Sequence, residues 1–260
     1  MGKGGEMTRF LLTLSVLWTA FSLAAETMRI GGVDFACRAP AHYDADSRIL
    51  VLFGGRNWPG EKTLKTFGFD RFADRRQLFL LSPSFVNRDY WEPQKWSGSL
   101  LKKAVAELEK RYRLHPRKLY FYGYSAGGQC SNLFYAWMPD RVAAWGAHAC
   151  GVYFTGDIPH PAAPALITCG VQDAERLVIS RQFLYRYRES GGELLWKTYP
   201  GGHELNPAAL ELARAWLDAV LSGAKARKFG EDDSMLIRKR IDTEFRNPLY
   251  TPQIEALWRK

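Results

Sequence analysis

Three side chains of complementary chemistry follow one another along the chain: Ser125, then Asp173 48 positions later, then His203 30 positions after that. A serine hydroxyl becomes a useful nucleophile when a histidine takes its proton. The histidine does this best when a carboxylate holds its other ring nitrogen. Ser125 lies in Gly123-Tyr124-Ser125-Ala126-Gly127-Gly128, directly after the β-rich run Tyr120-Phe121-Tyr122. A strand running into Gly-x-Ser-x-Gly and then a helix is a nucleophile elbow, a strained turn that lifts the hydroxyl out of the sheet. Its glycines leave room where side chains would collide. The N–H of Ala126, at the start of the helix, can then meet a developing oxyanion. The motif alone also describes a glycine-rich turn of other α/β proteins, so its partners decide.

Asp173 leaves the apolar run Ala165-Leu166-Ile167-Thr168-Cys169 through Gly170-Val171-Gln172; Asp157 and Glu175 compete with it for the role of acid. His203 ends Pro200-Gly201-Gly202 and competes with His42, His115, His148 and His160. His115 precedes Pro116 and His160 stands between prolines, both natural solvent-facing sites, while His148 falls in a strand where burial is expected. A second oxyanion donor is expected from Gly54-Gly55-Arg56-Asn57, as the backbone N–H of Gly55 or Arg56. Trp58, Trp91 and Trp96 stand in loops and are candidate substrate platforms, or aromatics that pack those loops on the core.

The elements that must position these groups read as alternating strands and helices. Residues 28–38 form an extended pair interrupted by Gly31-Gly32. Buried strands follow at Arg48–Phe53, Leu78–Leu81, Lys118–Tyr122, Val142–Cys150, Ala165–Cys169 and Glu193–Tyr199, with Leu195 facing away from Leu194 and Trp196. Helices are predicted at 61–76, at 98–113 with Ser97 as cap and Pro116 beyond, at 126–137, and at 174–189 closed by Gly191-Gly192. The last core helix starts at Asn206-Pro207 and stops before Gly223. Such alternation gives a parallel sheet with right-handed crossovers, so the exits at Gly55, Ser125, Asp173 and His203 open on one edge.

The stretch Leu114-His115-Pro116-Arg117-Lys118-Leu119-Tyr120-Phe121-Tyr122-Gly123-Tyr124-Ser125-Ala126-Gly127-Gly128, with Pro200-Gly201-Gly202-His203, resembles a group of secreted α/β-hydrolases. These are the polyhydroxybutyrate depolymerases, feruloyl esterases and acetyl xylan esterases, and the resemblance spans roughly residues 28 to 222. It implies the α/β-hydrolase fold, a mostly parallel central sheet flanked by helices, and a triad of Ser125, Asp173 and His203. It also implies hydrolysis of acyl esters of carbohydrates or related small esters, without a cofactor. The chain departs from the group at Phe53-Gly54 and Cys169-Gly170, where His-Gly is usual. Two other readings remain open. One is a serine peptidase of the prolyl-oligopeptidase type, whose usual propeller this chain is too short to contain. The other is a non-catalytic member that binds a glycan or partner through its aromatic loops.

With 260 residues, 47% of them hydrophobic, the chain can bury one substantial α/β core, assigned to residues 26–224. Residues 1–25 have the order of a secretory signal peptide: Lys3 and Arg9, an apolar run from Phe10 to Phe21, then Ser22-Leu23-Ala24-Ala25, with cleavage near Ala24 or Ala25. A secreted or periplasmic location is expected, with no membrane attachment after cleavage. The formal charge of +9 is scattered among 27 acidic residues, which points to a solvated surface and not to nucleic acid. Cys37, Cys130, Cys150 and Cys169 could pair in an oxidising compartment or stay as buried thiols. Their spacing, with no CxxC or paired histidines, does not call for a metal. Residues 225–260 form a charged extension with a short apolar pattern at Met235-Leu236-Ile237. It is expected to pack on the core or to mediate oligomerisation.

Overall fold

The computed structural model describes residues 25–115, 117–226, 228–231 and 246–260. The proposed leader up to residue 24, Pro116 and the Met235-Leu236-Ile237 pattern lie outside the described residues.

An eight-stranded sheet in the order β1-β2-β4-β3-β5-β6-β7-β8 forms the centre. Its strands are β1 (Glu26–Ile30), β2 (Val33–Arg38), β3 (Arg48–Phe53), β4 (Leu78–Pro83), β5 (Leu119–Tyr124), β6 (Val142–His148), β7 (Ala165–Gly170) and β8 (Leu194–Tyr199). β1, β2 and β4 pair antiparallel, and from β4 through β3 to β8 every pairing is parallel. The inner strands are largely apolar because both faces are covered, and polar residues such as His148 and Thr168 stand towards their C-terminal ends. Val51, Phe53, Phe121, Ile167 and Trp196 face one core, while Leu50, Leu52, Tyr122, Leu166 and Leu195 face the other. This is the two-residue alternation of a strand.

Helices α1 (Gly60–Phe67), α2 (Asp70–Arg76), α3 (Ser97–Arg111), α4 (Ala126–Trp137), α5 (Ala174–Glu189) and α6 (Pro207–Leu221) cover the faces. The single helix expected over 61–76 is two, because Gly68 takes a left-handed conformation (φ 62°) and closes α1. Ser97 does not cap α3: it lies inside the helix and its hydroxyl donates to the Tyr90 carbonyl at 2.6 Å, which fixes the preceding loop. β6 stops before Cys150 because Ala149 has φ 52° and turns the chain out of the sheet. Asn206 caps α6 as its type and place predict, accepting from the N–H groups of Ala208 and Ala209.

The described parts of the charged extension are β9 (Lys228–Gly230), β10 (Asn247–Leu249) and α7 (Pro252–Arg259). They pack on the protein's own core: Asn247, Ile254 and Trp258 are fully buried. Cys37, Cys130, Cys150 and Cys169 are free and buried. Burial pushes the Cys37, Cys150 and Cys169 thiols up to about 12.

Candidate active site

Ser125 stands between β5 and α4 with φ 56° and ψ −121°, a conformation an L-residue keeps only where its surroundings enforce it. Its N–H donates to the His148 carbonyl on neighbouring β6 at 2.9 Å. The glycines are sterically required. A Cβ on Gly123 would run into the Gly127 carbonyl, and one on Gly127 into the carbonyl oxygens of Phe53 and Gly54. The first turn of α4 therefore lies directly on the end of β3, beside Gly55 and Arg56. Ala126, in that first turn, has no intrahelical acceptor for its N–H. The backbone donors named for an oxyanion thus come from two adjacent strand exits.

Asp173 follows β7 at the N-cap position of α5 and is 6% exposed. One carboxylate oxygen accepts from Arg176 Nη1 at 3.0 Å and the other from His203 Nδ1 at 2.7 Å. The imidazole thereby presents Nε2 as an acceptor, 2.8 Å from the Ser125 hydroxyl. The structure brings Ser125, His203 and Asp173 into one chain of hydrogen bonds. The loops carrying the acid and the histidine are in backbone contact, since Gln172 N–H donates to the Gly201 carbonyl at 3.0 Å. A Cβ at Gly170 would strike the carbonyls of Gly201 and Gly202. Of the competing groups, His115 pairs with Asp46 at the surface, and Asp157 and His160 are exposed on the loop after β6. Glu175 stands in the cavity wall described next.

Two residues that sequence reasoning did not assign hold the histidine loop. Tyr124 stacks on the His203 ring with centroids 5.5 Å apart, and its hydroxyl donates to the His203 carbonyl at 3.1 Å. His148, 1% exposed, also stacks on Tyr124, with centroids 5.9 Å apart. Its Nε2 donates to the Glu204 carbonyl at 2.9 Å and its Nδ1 accepts from the Thr168 hydroxyl at 2.8 Å. Burial lowers its pKa to about 4, so the ring is neutral. The only sequence signal for this arrangement was an aromatic at the elbow and a histidine in a buried strand.

A cavity of about 370 Å³ opens beside Ser125, walled by Arg56, Trp91, Gln129, Val152 and Arg176. The Arg56 guanidinium lies 5.9 Å from the centre of the Trp91 ring. Of the three loop tryptophans, Trp91 reaches this cavity. Trp58 packs on Tyr124 at 5.7 Å, and Lys62 Nζ lies 4.3 Å over its ring. Trp96 turns inward against Phe85 at 5.5 Å, because Ser97 ties its loop to Tyr90.

The sheet order and the strand-to-helix elbow define the α/β-hydrolase fold, and solved structures share it. A poly(aspartic acid) hydrolase-1 from Sphingomonas sp. KT-1 superposes with a TM-score of 0.58 at 17% identity, over 75% of this chain and 98% of that one. A ferulic acid esterase gives 0.60 at 14%, over 76% and 95%. An S-formylglutathione hydrolase from Agrobacterium tumefaciens gives 0.62 at 14%, over 76% and 94%. No protein-family model and no curated protein sequence matches the chain. At these identities the likeness is one of fold.

Proposed function

We propose that the protein is an exported serine carboxylic ester hydrolase acting on acyl esters of carbohydrates or related small esters. The observation that carries this reading is the hydrogen-bond chain from the Ser125 hydroxyl through His203 to Asp173, at 2.8 and 2.7 Å, opening on a cavity. His203 Nε2 takes the hydroxyl proton as the oxygen attacks the ester carbonyl carbon, and Asp173 stabilises the imidazolium. The N–H of Ala126, with that of Gly55 or Arg56, receives the oxyanion. Collapse expels the alcohol, which takes the proton from His203; water then repeats the sequence on the acyl-enzyme. The ester-hydrolysing neighbours of this fold support the reading, as do the polar cavity wall of Arg56, Gln129 and Arg176 and the Trp91 ring beside it. The order of residues 1–25 supports export.

The test is covalent labelling of Ser125 by a fluorophosphonate together with turnover of 4-nitrophenyl acetate. Ser125→Ala should lower turnover about 10⁴-fold or more with the fold intact. Turnover that survives in Ser125→Ala refutes the assignment. Folded wild-type protein that neither labels nor hydrolyses leaves the binding reading in its place.

A further inference from the structure

A second cavity lies beside the same face of α4 as the one at Ser125. Beyond the elbow, that helix stays partly exposed at Gln129, Leu133, Ala136 and Trp137, residues spaced to lie in one row from Ser125 onward. The loops after β4 and β6 flank this row. At the Ser125 end they contribute Trp91 and Val152; one to three residues further along they contribute Glu92–Gln94 and Phe154. These latter residues wall the second cavity, of about 380 Å³, floored by Leu133, Ala136 and Trp137. Adjacent residues of the same two loops and the same helix face thus line both cavities, which follow one another along α4. Along the helix axis, Leu133 and Trp137 stand roughly 12 and 18 Å from Ser125.

The walls are held by the protein's own hydrogen bonds. The Phe154 N–H donates to Asn132 Oδ1 at 2.7 Å and the Phe154 carbonyl accepts from Arg186 at 3.1 Å, while Ser97 holds the other loop through Tyr90. Lys102 Nζ lies 4.1 Å over the Trp137 ring. The two halves differ in chemistry. Arg56, Gln129, Glu175 and Arg176 make the serine end the more polar, beside Trp91 and Val152, while Leu133, Trp137, Phe154 and Pro93 make the distal end the more apolar, rimmed by Glu92 and Gln94. A small ester fills only the polar half and gains nothing from the apolar half.

We propose that the ester taken by this site is chain-like, with polar groups next to the scissile bond and an apolar or aromatic segment seated between Trp137 and Phe154. This rests on the ester-hydrolase reading and adds to it the length and polarity of the substrate. The acyl and alcohol sides are separated by two substrate series: 4-nitrophenyl esters from acetyl to dodecanoyl, and acetate esters of alcohols from ethanol to dodecanol. In one series kcat/KM should rise about tenfold or more with length. Ala136→Trp, which fills the distal half, should cut the long-to-short ratio at least about fivefold. Phe154→Ala, which opens the wall, should lower the same ratio and stands in should Ala136→Trp fail to fold. Two flat series overturn the proposal, and so does a length preference that neither folded variant changes. In both cases fluorophosphonate labelling of Ser125 and hydrolysis of short esters leave the ester-hydrolase reading standing. Absence of labelling and of all hydrolysis removes both.

Discussion

His148 shows how far a single residue's role depends on partners distant in sequence. It was one of several histidines that the chain offered as a base, and its strand context already argued for burial. Folded, it is a neutral brace: it holds the carbonyl next to His203 and stacks on Tyr124. Its pKa, lowered from 6.5 to about 4, makes a stability prediction. Between these values the unfolded chain binds a proton that the native protein does not, so stability falls as pH drops from about 6.5 to about 4 and is level above. The integrated cost is about 3 kcal/mol at the acid end. His148→Gln, which cannot titrate, should flatten this part of a pH series of urea midpoints. An unchanged slope would assign the acid sensitivity to other groups. Ser125, Asp173 and His203 were legible because strand exits and chain order locate them. Arg176 and Tyr124 were not, since nothing in a local pattern tells a helix's first-turn arginine or an elbow tyrosine which carbonyl or carboxylate it will meet.

At the scale of elements, the inner strands were readable because burial on both faces leaves them few polar residues to alternate with. Helix boundaries were less so. Gly68 splits one expected helix, a left-handed turn its sequence context did not force, and Ala149 ends β6 with a positive φ that alanine does not advertise. The junction of β3, β5 and α4 is where element packing and chemistry meet. Gly127 permits α4 to lie against the Phe53 and Gly54 carbonyls, so the spacing between the two strand exits proposed to receive the oxyanion depends on a missing side chain. Gly127→Ala should cost about 2 kcal/mol or more, because backbone and not a flexible side chain must move. It should also lower kcat on 4-nitrophenyl acetate more than it raises KM. A thermal scan and steady-state kinetics check both. Wild-type values in the variant would mean that β3 yields freely.

The whole molecule is closed at one end of its sheet by described parts of the charged extension, for which packing on the core was one of the two expectations. Charged residues dominate that segment's count, but a few apolar ones decide its place: Leu249, Ile254, Leu257 and Trp258 join the core beneath α6. The Asn247 side-chain oxygen accepts from the Trp196 N–H at 2.6 Å and from the buried Arg188 at 2.9 Å. The Trp258 indole N–H donates to the Trp196 carbonyl at 3.0 Å. Trp258→Ala should therefore destabilise by about 3–5 kcal/mol, through the cavity and the carbonyl left without its donor. Calorimetry would show this as a lowered Tm, and a shift of a degree or less would mean that the segment adheres weakly. Light scattering on the same variant reads self-association, which an uncovered edge strand invites.

β8 is the last strand of the sheet, and the outward N–H and C=O of Trp196 are groups that a neighbouring strand's backbone would ordinarily satisfy. Here an asparagine amide oxygen and a tryptophan indole occupy those two positions. Two side chains thus impersonate one peptide repeat of a neighbouring strand, and among the described residues the sheet ends at β8 with that partner imitated in side-chain form.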